Sequence, residues 1–354
     1  MTETNPSRRF GLPSFSRRLP DQTPNSSADD LSAIGRARAF PRRTFLKAVA
    51  VVSAVDQGSR LVPELLGGYT SHARFLDNSG EGRRLAETQA ALFCFPGVQV
   101  DHAKDIASFL RYSSEASAED PLAHPEFEQF GAMGYIDFSS LGVDLDSVVQ
   151  DFLKHEKKSL KKVALMGGSA GGQYALKVAA ALRRAGSAIQ FTHLITDCTP
   201  YDLSDVRGSS VAKGVNYLVE ETGYQGGGIV TAVVYGATRR DLAPDNAVGP
   251  RVLLDEFSEL GDSLTREEIG IIQDIVRDDG MQILSLSPEN PKADAAVDNE
   301  RANRHLRKIV GPMAVIEERG LEGNQGHYNM LENKKPYLDA IGGWLKKISP
   351  RTRG

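Results

Sequence analysis

The chain is poor in residues that build covalent or metal-bound frameworks. Its 354 residues include only two cysteines, Cys94 and Cys198. Two thiols cannot form a disulfide framework, and by themselves they cannot form a zinc site. Both lie in apolar, strand-like runs, which predicts two buried, reduced thiols. We therefore expect neither a disulfide-rich fold nor a metal or cofactor centre.

Long apolar runs and a large excess of one charge are also missing. No stretch is long and apolar enough to span a bilayer as a clean helix. The formal net charge is −4, which gives no reason to expect nucleic acid as a partner. Hydrophobic residues make up 40% of the chain. This length and composition suit one large α/β domain with an inserted cap, or two small domains.

The N-terminal part differs from the rest in composition. Residues 1–40 are rich in Ser, Pro, Arg and Asp and show no apolar periodicity, which predicts a disordered basic segment. Residues 42–47 (RRTFLK) then precede a modest apolar stretch and resemble a twin-arginine export signal. The alternative for 41–84 is a linker or a helix that packs on the domain. If residues 42–47 begin an export signal, we expect the protein to be exported, and otherwise to be cytoplasmic. Contact with a membrane is expected only if that signal is not cleaved.

Short apolar runs alternate with helical patterns through most of the remaining chain. This alternation predicts a mainly parallel sheet with helices on both faces. We assign the core to 85–202 and 280–350. The alternation breaks over 203–279, which has several helical patterns and is predicted to be an inserted helical cap. The predicted strands are Ala90–Phe95, Gly134–Phe138, Val163–Met166, Phe191–Asp197, Met281–Leu286 and Met313–Ile316.

One segment, 162–182 (KVALMGGSAGGQYALKVAAAL), carries the strongest chemical signal. A short apolar strand is followed at once by a glycine-rich turn and then by good helix formers. Within the turn, Gly167-x-Ser169-x-Gly171 fits G-x-S-x-G. A sharp strand-to-helix turn exposes a serine hydroxyl at the edge of a sheet, and close backbone contacts there admit only small neighbours. A dinucleotide-binding turn needs glycine where Ser169 stands.

With this turn and this topology, the chain resembles the α/β-hydrolase family over about 85–348. The resemblance implies a nucleophile, an acid and a histidine in that chain order. Ser169 matches the nucleophile. His327, in a glycine-flanked loop between the last strand and the last helix, matches the base. His305, the other late histidine, lies mid-helix and is expected on a solvated face.

The resemblance leaves the acid open. Residues 294–297 (DAAV) follow the strand where the family keeps its acid, which favours Asp294. Asp298 is the second candidate, although it could instead cap the following helix. Glu289 is a third, and an acid one strand earlier would point to Asp197 or Asp202. Each of these carboxylates could also be an ordinary solvated loop charge.

Two backbone amides should stabilise an oxyanion in such a site. The resemblance implies Ala170, directly after the nucleophile, and an amide in the loop after Phe95. Pro96 has no N–H, so Val98 is the positional match. The chain has Pro96-Gly97 where the family often has His-Gly, which argues against the branch with His-Gly-Gly-Gly.

These residues predict a serine hydrolase that cleaves a carboxylic ester of a small or medium, partly apolar acyl group through an acyl-enzyme. Amides, thioesters and lactones are cleaved by the same machinery. The alternative is a hydrolase-fold protein that has lost catalysis and binds a ligand or partner. The sequence carries no indication of the oligomeric state.

Overall fold

The computed structural model describes residues 71–76, 81–97, 102–138, 143–207, 263–294, 296–322, 327, 330–331 and 333–348. The predicted disordered segment, the predicted export signal, most of the predicted cap and the oxyanion candidate Val98 lie outside the described residues. Among the described helices, none combines the length and the apolar character needed to cross a membrane.

The core is a seven-stranded sheet in the order β1-β3-β2-β4-β5-β6-β7. β1 pairs antiparallel with β3, and all the other neighbouring pairs are parallel. The central strands are buried on both faces, so their sequences read as unbroken apolar runs. The predicted fold class, a mainly parallel α/β sheet flanked by helices, is confirmed. The strands are β1 (His72–Phe75), β2 (Ala90–Phe95), β3 (Ala132–Asp137), β4 (Lys162–Gly168), β5 (Gln190–Asp197), β6 (Gln282–Pro288) and β7 (Ile316–Leu321).

Helices cover both faces of this sheet. One face packs against α3, α4, α5 and α6, and the other packs against α2 and α7. Alternate residues of β2 supply the two cores, with Phe93 on the first face and Leu92 on the second. The helices are α1 (Glu81–Thr88), α2 (His102–Glu115), α3 (Leu145–Lys158), α4 (Gly171–Arg184), α5 (Arg266–Asp279), α6 (Asn299–Val310) and α7 (Lys334–Ile348).

Local signals in the sequence explain where several helices begin. Asp144 caps α3 by accepting a hydrogen bond from the Ser147 amide. Thr265 and Glu268 form the predicted capping box at the start of α5. Each cap accepts hydrogen bonds from backbone amides that have no partner within the first turn of the helix. The two cysteines are buried and are not joined in a disulfide, and burial raises the pKa of the Cys94 thiol.

One strand is shifted from its predicted position, and two elements lie close to the predicted domain boundaries. The last strand runs over Ile316–Leu321 and not over 313–316, because the apolar residues Met313 and Val315 are exposed and precede the strand. Helix α5, predicted to belong to the cap, packs its buried Ile272, Ile275 and Val276 into the core. Strand β1 also precedes Leu85, where the core was expected to begin.

Candidate active site

Ser169 lies in the sharp turn between β4 and α4, at the carboxyl end of the central strand. Its φ is 50°, a left-handed conformation that residues other than glycine rarely adopt. The Ser169 amide donates a hydrogen bond of 2.8 Å to the Asp197 carbonyl at the end of β5. A Cβ on Gly167 would collide with the backbone of Gly171 and Gly172. These contacts explain why the turn needs small residues on both sides of the serine.

The loop after β2 runs directly beside this turn. A Cβ on Gly97 would lie 3.0 Å from the Ser169 Cβ and 3.0 Å from the Gly168 carbonyl oxygen. Ala170 is the N-cap residue of α4, where backbone amides and the positive end of the helix dipole favour negative charge. The surroundings of Ser169 therefore contain a helix N-terminus on one side and the Pro96-Gly97 backbone on the other.

His327 connects Ser169 to an aspartate. Its Nε2 atom lies 2.8 Å from the Ser169 Oγ atom, and its Nδ1 atom lies 3.1 Å from Asp294 Oδ2. A neutral imidazole protonated on Nδ1 would donate to Asp294 and accept from the serine hydroxyl. The three residues come from three separate loops that meet at the same edge of the sheet.

Asp294 is fully buried and held by several donors. Its Oδ1 accepts hydrogen bonds from the amides of Ala296 (2.8 Å) and Val297 (3.0 Å), and its Oδ2 accepts one from Asn299 Nδ2 (2.9 Å). Burial raises the pKa of this carboxyl, but the hydrogen bond and charge of His327 and the loop donors lower it more. The pKa therefore falls to about 2, and Asp294 is an anion at neutral pH.

The other candidate acids have different roles in the structure. Asp298 caps α6 by accepting from the Arg301 amide, which is the alternative role predicted for it. Glu289 is exposed. Asp202 accepts hydrogen bonds from Ser204 and Ser263 in its own neighbourhood. Of the predicted acid candidates, Asp294 is the one whose carboxylate hydrogen bonds to His327.

Asp197 is a second buried carboxyl close to the same histidine. Burial raises the pKa of Asp197 to about 6, although the Tyr337 hydroxyl donates a 2.6 Å hydrogen bond to its Oδ2 atom. Its side chain thus points toward α7, while its backbone carbonyl supports the Ser169 turn. The sequence indicated Asp197 only as an alternative acid and gave no signal for the partner Tyr337.

His305 differs from its prediction. It was expected on a solvated helix face, but its Nδ1 atom lies 2.9 Å from Asp205 Oδ1 and 3.0 Å from Asp205 Oδ2. The Asp205 side chain is fully buried and also accepts from the Tyr201 amide. The two residues are 100 positions apart in the chain, so no local pattern could have indicated the pair.

Cys198 is a site neighbour that sequence reasoning missed. Its sulfur lies within 4.8 Å of ligand atoms of Asp294 and His327. Thiolate, carboxylate and imidazole are all ligands that zinc accepts. Both nitrogens of His327 and both side-chain oxygens of Asp294 already have hydrogen-bond partners. In this structure the side chains of Asp294 and His327 are therefore used in hydrogen bonds. The position of Cys198 directly after β5, next to the Ser169 turn, was the available signal.

No protein-family model and no curated protein matches the sequence. Similar solved structures include an α/β-hydrolase enzyme from a Medee basin deep-sea metagenome library (14% identity, TM-score 0.44, 81% of this chain and 98% of that one). Others are an esterase from Rhodococcus sp. ECU1013 (12%, 0.44, 80% and 96%) and a monoacylglycerol lipase from Paleococcus ferrophilus (12%, 0.42, 73% and 94%). The chain itself has a mainly parallel seven-stranded sheet, with Ser169 in the turn that follows the central strand β4.

Proposed function

We propose that the protein is a serine hydrolase that cleaves carboxylic esters through an acyl-enzyme. The observation that carries this proposal is the hydrogen-bonded chain from Ser169 Oγ through His327 to Asp294. A serine hydroxyl is a weak nucleophile until an adjacent base can take its proton, and that base must itself be oriented. The 2.8 Å and 3.1 Å contacts supply both requirements.

The first half of the proposed reaction forms an ester bond to the enzyme. His327 Nε2 takes the hydroxyl proton while Ser169 Oγ attacks the substrate carbonyl carbon. The carbonyl oxygen becomes an oxyanion, which we place near the Ala170 amide, with the loop after Phe95 supplying a second donor. Asp294 stays ionised and stabilises the imidazolium. Its low pKa suits that role, because the carboxylate does not take the proton from the ring. The tetrahedral intermediate then collapses: its bond to the alkoxide oxygen breaks, the imidazolium protonates that oxygen, and the alcohol leaves the acyl-enzyme.

The second half regenerates the enzyme. A water molecule takes the place of the alcohol, loses a proton to His327 and attacks the acyl carbon. The tetrahedral intermediate collapses, the acid product departs and the proton returns to Ser169. Hydrogen and charge balance over the cycle, so the proposal needs no co-reactant other than water.

We assign the substrate as an ester of a small or medium, partly apolar acyl group. Amides, thioesters and lactones present the same carbonyl to the same nucleophile, and an alkoxide leaves more readily than an amide nitrogen. The sequence also allowed a hydrolase-fold binding protein without catalysis, mainly because the acid was undetermined. The hydrogen bond between His327 and Asp294 supports Asp294 as the acid and therefore favours the catalytic alternative.

A mass-mapped labelling experiment tests the proposal. A fluorophosphonate probe phosphonylates only an activated serine, so we expect the peptide that contains Ser169 to gain the probe mass. Hydrolysis of p-nitrophenyl butyrate should fall in proportion to the labelled fraction. Heat-denatured protein is the control and should not be labelled. Folded protein that hydrolyses no ester and takes no label at Ser169 would show that the proposed function is wrong.

The assignment of the acid gives a paired prediction. We expect Asp294→Asn to lower kcat by a factor on the order of 10⁴, because the amide cannot stabilise the imidazolium or hold its tautomer. Asp197→Asn is the matched control, since it removes the neighbouring buried carboxyl, and kcat should stay within about tenfold of wild type. Steady-state kinetics on both variants decide the assignment. The reverse pattern would identify Asp197 as the acid.

A further inference from the structure

We propose that Arg207 is a positioning residue that holds the Asp294 loop in its reactive geometry. The inference rests on the proposed function, because it concerns the residue that orients the base. Arg207 lies in the segment after β5, far in sequence from the loop that carries Asp294. Its side chain nevertheless forms hydrogen bonds to that loop on both sides of the aspartate.

The side chain makes two hydrogen bonds to backbone carbonyls. The Nε atom donates to the Val297 carbonyl at 3.0 Å, and one terminal nitrogen donates to the Pro291 carbonyl at 3.1 Å. These carbonyls lie three residues after and three residues before Asp294. The planar guanidinium presents its donors in a fixed fork, so one side chain fixes the spacing between the two ends of the loop.

The Arg207 backbone acts on the same loop. Its amide donates to the Ala296 carbonyl at 2.8 Å. That carbonyl belongs to the same planar peptide group as the Val297 amide, which donates to Asp294 Oδ1 at 3.0 Å. One rigid peptide therefore connects Arg207 to the carboxylate. A tilt of this group moves the aspartate relative to His327.

Two further contacts join the same pair of segments. The Asp298 amide donates to the Asp205 carbonyl at 2.7 Å, and Val206 forms an isolated antiparallel bridge with Val297. The Arg301 side chain donates to the Ser204 carbonyl at 2.7 Å and forms an ion pair with Asp298. Both partners lie outside the segment 291–297. Arg301 thus offers a matched control, being an arginine at the same junction whose side chain bonds to Ser204 and Asp298.

Kinetics in two backgrounds test the proposal. We expect Arg207→Met to lower kcat for p-nitrophenyl butyrate by about 10- to 100-fold, the size of effect that a displacement of about 1 Å causes. KM should stay within about twofold. In the Asp294→Asn background the same substitution should cost less than about threefold, because the carboxylate that Arg207 positions is already absent. Arg301→Met should cost less than about threefold in both backgrounds.

Two results would overturn the inference. Equal losses from Arg207→Met in both backgrounds would show a purely structural role, as would an equal loss from Arg301→Met. If Arg207→Met fails to fold by circular dichroism, Arg207→Lys replaces it. That variant retains one donor and should lose less activity than Asp294→Asn while showing the same background dependence. Labelling of Ser169 by the fluorophosphonate tests the proposed function separately, so the two failures are distinguishable.

Discussion

Ser169→Ala is expected to lower kcat for ester hydrolysis by a factor on the order of 10⁶. The alanine side chain fits the turn and leaves its backbone contacts unchanged, but it removes the hydroxyl oxygen that forms the proposed acyl-enzyme. The residual rate then comes from binding and from the oxyanion donors alone. Steady-state kinetics with p-nitrophenyl butyrate at matched protein concentrations measures the loss, and the fluorophosphonate should label wild type but not the variant.

Ser285→Ala provides the control for this substitution. Ser285 is a buried serine on β6 that donates to Asn303 Oδ1 at 2.8 Å, and it contributes nothing to the chain of hydrogen bonds at His327. Its variant should keep kcat within about twofold, since its hydroxyl takes no part in the proposed reaction. If Ser169→Ala retained wild-type turnover after purification to a single species, another nucleophile would have to carry the reaction.

His327→Ala should cause a loss of the same order, about 10⁶ in kcat, because nucleophile and base act as one unit. Without the imidazole, no group accepts the serine proton as the carbonyl is attacked. KM should change little, since the ring does not bind the acyl chain. Added imidazole should restore part of the activity by occupying the space that the substitution opens. Turnover as a function of imidazole concentration measures this rescue.

His305→Ala is the matched control for this experiment. Like His327, His305 directs its Nδ1 atom at a buried aspartate. Its removal leaves Asp205 without that partner and should cost about 1 to 3 kcal/mol of unfolding free energy. The kcat of the folded variant should stay within about threefold of wild type. A large kcat loss in His305→Ala, or full activity in His327→Ala, would reverse the assignment of the base.

The sequence predicted Ser169 as the candidate nucleophile and His327 as the candidate base because their signals are local. Small residues flank Ser169 because the backbone contacts around Gly167 leave no room for a Cβ. His327 followed from its place between the last strand and the last helix. The boundaries of strand β2 were likewise readable, since it is buried on both faces and continuously apolar.

The acid was harder to predict because several carboxylates share one loop. Asp294 and Asp298 both follow β6, and they are separated by their partners: Asp294 contacts His327, whereas Asp298 accepts from the Arg301 amide. The pair His305–Asp205 and the contacts of Arg207 join segments that are distant in the chain. Such contacts depend on the packing of loops against each other. A periodicity or a spacing within one segment does not contain that information.

Strand β7 was misplaced for a different physical reason. Its sequence, IEERGL, has charged residues where an apolar run was expected. In the described sheet it lies at one end, so only one of its sides pairs with a neighbour. Within this strand, Glu318 forms an ion pair with Arg307 and Glu317 forms one with Lys347. An edge strand is free to be polar, and its pattern resembles a loop.

The two buried carboxyls beside His327 also make the folding of the protein depend on proton uptake. Asp294 has a folded-state pKa of about 2 against an ordinary value of 3.8. It stabilises the fold by about 2 kcal/mol above pH 4, and this contribution is lost as the pH falls through 2.

Asp197 has the opposite effect on how the free energy of unfolding depends on pH. Its folded-state pKa of about 6 lies above the ordinary 3.8, so the folded chain holds a proton that the unfolded chain has released. About 3 kcal/mol of unfolding free energy is lost as the pH rises from 4 to 6. Above pH 6 the two contributions offset each other to within about 1 kcal/mol. The chain can therefore keep both carboxyls at this edge of its sheet at little net cost in stability near neutral pH.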